Sequence, residues 1–414
     1  MIENLSGKSV QDGTVLSANH IDNPLAMRVK QELTEIKRAG LYRNVTDLLY
    51  TDATTAWDRQ GNKFIVFSSN NYLGMTFDPR VTEAAAGALR EGVGSTGSRL
   101  TTGGVFAASE LERELARFKH AEAALLFNTG YMTNLGVLYG LARPCDTVFS
   151  DALNHASIID GCRISRCRTE IYRHNDMNEL EQKLQACETD VKIIVTDGVF
   201  SMDGDIANLP ELVRLKEKYN AILIVDDAHA VGVLGKDGAG TASHYHLETS
   251  IDLQVGTLSK SLASVGGYVA GSKILIEYLR NKSRPFIFST FLSPADTAAA
   301  KAALGILRTE GRALLQKLQR NTKQMCQLLR KAEIPISHSG VTPIIPILVG
   351  DAAKATKIDF ALRERGILLS AIRPPTVAPG TSRLRLTVTA AHTEEQIVYT
   401  AMELQKVWET CMQK

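Results

Sequence analysis

The stretch IDLQVGTLSKSLASVGGYVAG, residues 251–271, decides how this chain is read. It holds two strand-like runs, LQVGT (253–257) and GYVAG (267–271), joined by a turn of small and hydroxyl residues. One lysine, Lys260, stands in that turn. A lysine kept for solubility has no need of such neighbours. A covalent anchor for an anionic group does, because small residues leave room and hydroxyls suit a phosphate.

Working outward, ALLFN (124–128), TVFSD (147–151), KIIVTD (192–197) and AILIVDD (221–227) also read as buried strands. Helical periodicity lies between them, as in LERELARFKH (111–120) and LPELVRLKEKY (209–219). Near-continuous apolar strands alternating with helices predict an α/β domain on a mainly parallel central sheet. The pattern changes around Ser289–Pro294. An alanine-rich helix over 295–331 follows, then a strand (344–350), a helix (354–365) and a strand (383–388). NPLAMRVKQELTEIKRA (23–39) reads as an amphipathic helix ended by Gly40. The expected organisation is an N-terminal helical segment (1–50), a large domain (51–290) and a smaller C-terminal α/β domain (291–414).

The chain has 414 residues, with 44% hydrophobic, 22% charged and only 6% aromatic residues, an ordinary globular composition. With 47 basic against 45 acidic residues, there is no electrostatic case for nucleic acid or an anionic membrane. The six cysteines form no CxxC pair, which predicts free thiols, no disulfide scaffold and no metal site. MIENLSGKSVQDGTV (1–15) has no apolar core of a signal peptide, and no uncharged apolar run approaches membrane-spanning length. The expected location is the cytoplasm.

In a sheet of this kind ligands bind beyond the carboxyl ends of strands. Here the strands run into NTGYMTN, DALNHAS, DGVFSMDGD, DDAHAVG and TLSK, which points to one shared site. Asn128-Thr129-Gly130-Tyr131 fits either a plain helix cap or a phosphate cradle at a helix N-terminus. Asp226 closes an apolar strand, where a carboxylate is costly unless a cation faces it. A protonated pyridine nitrogen is such a cation; a turn-capping Asp226 with a structural His229 is the other reading. An ordinary lysine, with a pKa of about 10.4, is a poor nucleophile at neutral pH. Burial or a nearby cation at Lys260 would lower that value.

Together these residues resemble the α-oxoamine synthase family of pyridoxal-phosphate fold-type I enzymes, from about Gly40 to the C-terminus. The resemblance is carried by SSNNYLG (68–74), GVGSTGSRLTTG (92–103), NHAS (154–157), TDGVFSMDGD (196–205), VDDAH (225–229), GTLSKS (256–261) and IRPPTVAPGTSRLRLTVTAAHT (372–393). It implies pyridoxal 5'-phosphate held by Lys260 as a Schiff base, with Lys260 later moving the substrate α-proton. Asp226 would pair with the pyridinium nitrogen, and His155 would stack on the ring. His229 and Ser201 would lie by the phenolic oxygen. Gly130, Tyr131 and Thr257 would hold the phosphate, with Thr290 reaching it from a second subunit of a homodimer. Asn70, Arg373, Thr376 and Arg385 would face the substrates, Arg385 taking the amino-acid carboxylate.

The reaction so implied is decarboxylative condensation of an amino acid with an acyl thioester, on coenzyme A or a carrier protein. IRPPTVAPGTSRLR is most similar to the members that join alanine to a pimeloyl thioester in biotin synthesis. NHASIIDG (154–161) and RNKSRPFIFST (280–290) are equally similar to glycine C-acetyltransferases, and NYLGMTFDP (71–79) to soluble serine palmitoyltransferases. Ala108 stands where the family usually has a histidine, and Asp197 where the biotin-pathway members often have glutamate. Both bear on acyl-chain choice, and both are also ordinary packing changes. A non-catalytic partner subunit would be expected to have lost Lys260, Asp226, His155 or His229; all four are present.

Overall fold

In the computed structural model, residues 23–336 and 340–412 are described; the N-terminal reading over 1–15 lies outside them. The chain divides into two compact units, one ending at Val45 and one from Thr46 onward. The first carries the expected helix, Pro24–Arg38. Asn23 caps it by accepting from the Ala26 N–H at 2.9 Å, and Lys37 and Arg38 sit in its last turn, where the helix dipole favours cations.

The second unit is built on three sheets. The first contains β1 (Leu48–Tyr50), β2 (Thr55–Asp58) and β3 (Lys63–Val66). The main sheet comprises β4 (Ala123–Phe127), β5 (Thr147–Asp151), β6 (Arg168–Tyr172), β7 (Lys192–Asp197), β8 (Ile222–Asp226), β9 (Leu253–Thr257) and β10 (Gly267–Gly271). Its order is β4-β10-β9-β8-β7-β5-β6, with β10 antiparallel to both neighbours and the other pairs parallel. The expected mainly parallel sheet is therefore present. β6 was not foreseen: its sequence, RTEIY, is largely exposed at the sheet edge and lacks an apolar run.

Successive residues of the apolar main-sheet strands face two different cores. On β4, Leu125 and Phe127 pack with Val137, Leu138 and Ile276, whereas Ala124 and Leu126 pack with Leu111, Leu115 and Ala300. On β8, Ile224 faces the first core and Leu223 and Val225 a third, with Leu212 and Leu215. Each such fully buried side chain contributes about 1.5–3 kcal/mol. Burial on both faces explains the near-continuous apolar runs, and it leaves the strand ends as the place for polar groups.

The long helix Pro294–Lys331 begins at Ser293, whose hydroxyl accepts from the Asp296 N–H at 3.1 Å. Beyond it lie β11 (Ile344–Gly350), β12 (Ile367–Leu368), β13 (Ser370–Ile372) and β14 (Ser382–Thr387). β11, β14 and β13 form the third sheet, backed by the helices Ala352–Arg363 and Glu394–Met412. β12 instead pairs in parallel with β3. The chain around residues 55–66 thus joins a sheet with residues from the C-terminal part, although sequence order groups it with 51–290. Parallel pairing across such a separation leaves no local mark in the sequence.

Candidate active site

The main sheet delivers its chemistry at its strand ends. Asp197 and Asp226 close β7 and β8 and are register partners. Lys260 lies in the turn between β9 and β10, which Leu258 N–H to Gly266 carbonyl (3.0 Å) and Ala263 N–H to Lys260 carbonyl (3.0 Å) tie down. His155 stands just ahead of the helix Ala156–Ser165, with its Nδ1 2.7 Å from the Ser157 hydroxyl. Thr129 caps the helix Gly130–Leu141 by accepting from the Met132 N–H at 3.0 Å.

Asp226 is 5% exposed. The bonds it accepts come from neutral donors, Asn134 Nδ2 at 2.6 Å and the Ala228 N–H at 2.9 Å. Nearby, burial pulls the Lys260 amine down to about 8, even though the Asp226 and Asp197 carboxylates raise it; Arg385 adds to the lowering. Burial lowers His155, with Asp226 acting against it and Lys260 with it. His229 is held well below its ordinary value by burial and then by Lys260, Arg385 and His155, so its ring is neutral. Burial and the neighbouring Asp226 push Asp197 well above the usual carboxylate range, although it accepts from the His155 N–H at 2.8 Å.

A second chain of bonds leads away from His229. Its Nδ1 is 2.6 Å from the Tyr72 hydroxyl, which also lies 3.2 Å from Asn70 Oδ1. The same Asn70 oxygen accepts from Arg385 at 3.0 Å, and Arg385 Nε donates to the Ser201 carbonyl at 2.6 Å. Burial raises the Tyr72 phenol to about 12 against the lowering effect of Arg385, so it is a donor, not a phenolate. Asn70, Arg385, Ser201 and His229 are thus brought into one network. Ser201 joins it through its backbone carbonyl.

Two observations fit pyridoxal phosphate. A buried carboxylate held by neutral donors lacks a cation, and the protonated ring nitrogen would supply it at Asp226. The first N–H groups of the helix Gly130–Leu141 have no carbonyl ahead of them within that helix. They stand in a cradle of small residues: a Cβ on Gly130 would meet Thr257 at 3.3 Å, and one on Gly267 would meet the Gly130 nitrogen at 2.7 Å. Such a helix end suits a phosphate. The Thr257 hydroxyl is turned to the Gly266 carbonyl at 2.8 Å and accepts from the Ser259 N–H at 3.2 Å. Tyr131 stands edge-on to His155, ring centroids 6.3 Å apart.

Thr290 is exposed on this chain, and its carbonyl accepts from Asn128 Nδ2 at 2.5 Å. Arg373 and Thr376 lie on the loop between β13 and β14, where Thr376 N–H donates to the Arg373 carbonyl at 3.0 Å. Neither takes part in the bonds around Arg385 described above. Asn134 and Tyr72 were missed by sequence reasoning. Asn134 sits within a helix, where an amide carries no signal of its own. Tyr72 lies inside SSNNYLG, the one stretch that pointed toward it. Ala108 lies on the helix Phe106–Phe118, fully buried in the core cluster that also holds Tyr72 and Leu258.

Residues 62–404 match the family described as aminotransferase class I and II. The chain is 45% identical over 382 residues to a protein named 8-amino-7-oxononanoate synthase from Lysinibacillus sphaericus, covering 92% of this chain and 97% of that one. A serine palmitoyltransferase from S. paucimobilis, solved with a bound PLP–myriocin adduct, has a TM-score of 0.89 at 32% identity and covers 95% and 100% of the two chains. An 8-amino-7-oxononanoate synthase from Francisella tularensis has a TM-score of 0.71 at 28% identity, covering 83% and 97%. Backbone likeness and sequence likeness thus favour different members of one enzyme group. Among the described residues, no helix is long and apolar enough to cross a membrane.

Proposed function

The chain belongs to the class I and II aminotransferase family, and on that premise we propose that it is an α-oxoamine synthase joining L-alanine to a pimeloyl thioester, the activity of 8-amino-7-oxononanoate synthases. The observation that carries this reading is the near full-length sequence likeness to the Lysinibacillus sphaericus protein. The strand-end cluster supplies matching chemistry. When bound, pyridoxal phosphate gives the amino acid's α-carbon an electron sink.

The residues divide that work. Lys260 would anchor the cofactor, and its amine, lowered to about 8, is suited to take the substrate α-proton. Asp226 would keep a proton on the ring nitrogen. His155 would cover one face of the ring and shield it from water. The Gly130–Leu141 helix end and Thr257 would hold the phosphate, with Thr290 contributed by the second subunit of a homodimer. Neutral His229 and Ser201 would lie by the phenolic oxygen. Arg385, held by Asn70 and the Ser201 carbonyl, takes the substrate carboxylate. Arg373 and Thr376 serve the acyl side. A C–C bond forms between the α-carbon and the thioester carbonyl, the C–S bond breaks and the thiol leaves protonated; the alanine carboxylate then departs as carbon dioxide, and the α-carbon takes a proton in its place. The enzyme works in the cytoplasm.

The test is free-thiol release by the cofactor-loaded protein, crossing alanine, glycine and serine with pimeloyl-, acetyl- and palmitoyl-coenzyme A. Thiol release confined to alanine with the pimeloyl donor is the expected result. Preference for glycine with acetyl-coenzyme A would move the chain to glycine acetyl transfer. The backbone likeness to serine palmitoyltransferase makes serine with palmitoyl-coenzyme A the other reading under test.

A further inference from the structure

His174 follows β6, at the sheet edge and outside the site described above. Its Nδ1 lies 3.0 Å from Asp151 Oδ1, and its Nε2 lies 2.8 Å from Asp205 Oδ2. The two carboxylates belong to different loops, and Asp205 ties its own loop through its backbone carbonyl. Asp151 Oδ1 also accepts from the Leu153 N–H at 2.8 Å, shaping the turn that delivers His155. The Asp205 carbonyl accepts from the Phe200 N–H at 3.0 Å, closing the loop that carries Ser201. Asn175 binds both carboxylates as well, with its N–H 2.9 Å from Asp151 Oδ2 and its Nδ2 3.1 Å from Asp205 Oδ2. Phe200 meets the His174 ring edge-on, centroids 4.4 Å apart, which fixes the ring plane.

We propose that His174 is a positioning residue, an imidazolium that staples the His155 turn to the Ser201 loop and thereby holds Arg385 where it takes the amino-acid carboxylate. The chemistry requires the charged ring, because a neutral imidazole has one N–H and two carboxylates face it. Burial opposes that charge, but the bonds and charges of Asp151 and Asp205 outweigh it and raise His174 to about 10. The far side of the same loop is pinned independently: Arg383 binds Asp203, and the Thr342 hydroxyl donates to the Gly204 carbonyl at 2.5 Å. The loop is thus held between two clamps, with the Ser201 carbonyl and its bond to Arg385 between them.

The role assigned to Arg385 rests on the function proposed above; the staple itself does not. The experiment pairs amide hydrogen exchange with steady-state kinetics on the cofactor-loaded protein. His174→Gln should lose protection in 152–155 and 200–205 together, with β8 and β9 unchanged. Losing a charge-assisted bond of this kind should raise the alanine KM roughly tenfold, and kcat should fall by less than about threefold. His174→Arg, a cation with several donors, should recover part of the KM. Unchanged exchange in either loop overturns the staple, as does a fall in Tm or kcat with an unchanged KM. If His174→Gln does not fold, Asp205→Asn decides: the 200–205 loop should loosen while 152–155 stays protected, and any other pattern overturns the proposal. If the parent protein releases thiol with no substrate pair, the functional reading fails and the exchange result still decides the staple.

Discussion

Lys119 and Lys260 each stand beside one aspartate of the adjacent pair Asp226-Asp227. Lys119 Nζ is 2.7 Å from Asp227 Oδ2, with both side chains fully buried, and it also donates to the Ala239 carbonyl. The Thr241 N–H lies 3.2 Å from each Asp227 oxygen. A Cβ on Gly240 would meet Asp227 Oδ2 at 2.2 Å, so this close approach depends on glycine. Lys260 has the opposite surroundings: its carboxylate neighbour accepts from the neutral Asn134 and Ala228 and, among the described residues, its desolvated amine forms no salt bridge. The same two residue types give a closed structural pair on one side and, on the other, an amine lowered to about 8, the proposed cofactor anchor. What separates them is whether the carboxylate spends its lone pairs on the lysine.

The largest effect should come from Lys260→Ala. Thiol release should fall by roughly a thousandfold or more while circular dichroism stays that of the parent; turnover at the parent rate would end the distinction. Lys119→Met should do the reverse. Leaving Asp227 buried and unpaired costs about 3–5 kcal/mol, to be read from the urea midpoint, with little change in KM for the protein that remains folded. The double variant Lys119→Met/Asp227→Leu should recover most of that loss, because an apolar pair carries no desolvation cost.

The third contrast is in pH. A folded-state value of about 8 at Lys260 lies below that of an ordinary lysine, so the reactive neutral amine grows about tenfold per pH unit below 8 and levels off above it. The rate at which the apo-protein takes up pyridoxal phosphate, followed by absorbance from pH 6 to 9, should trace that curve. A flat profile would place the controlling group elsewhere. The smallest effect is expected from Tyr72→Phe, which strips His229 Nδ1 and Asn70 of their phenol neighbour. A single bond of about 1 kcal/mol predicts roughly a fivefold loss in kcat/KM.

This contrast also marks where sequence reading stops. The turn around Lys260 and the apolar run before Asp226 are local patterns, and they announced the sheet and pointed to the candidate site. The main-sheet strands with such runs were all legible from them, and β6 was not, because RTEIY is largely exposed and carries no apolar run. Lys119 reads as one cation in a charged helix; only the fold brings it to Asp227. Tyr72 and His229, like Arg385 and Asn70, meet across long stretches of chain, and no period or spacing records such meetings. The short β12 and β13 likewise have no run long enough to stand out. His174 sits in a polar turn that looks like a solvated connection until its two carboxylates are seen.

The reversed strand β10 has a bearing on what changes of length the gene can accept. Most strands of the main sheet are joined by connections containing a helix, which can absorb an added residue by fraying a turn. The lysine turn is different: it links β9 to an antiparallel neighbour, and the Thr257–Gly267 pair closes it at its base. Inside, the Leu258–Gly266, Ser264–Leu258 and Ala263–Lys260 backbone bonds occupy the space where slack would go. An inserted codon there has to move the lysine or slip the pairing of β10 with both flanking strands. Tolerance of insertions along the coding sequence should therefore show a gap at this turn, wider than the anchor residue alone would produce.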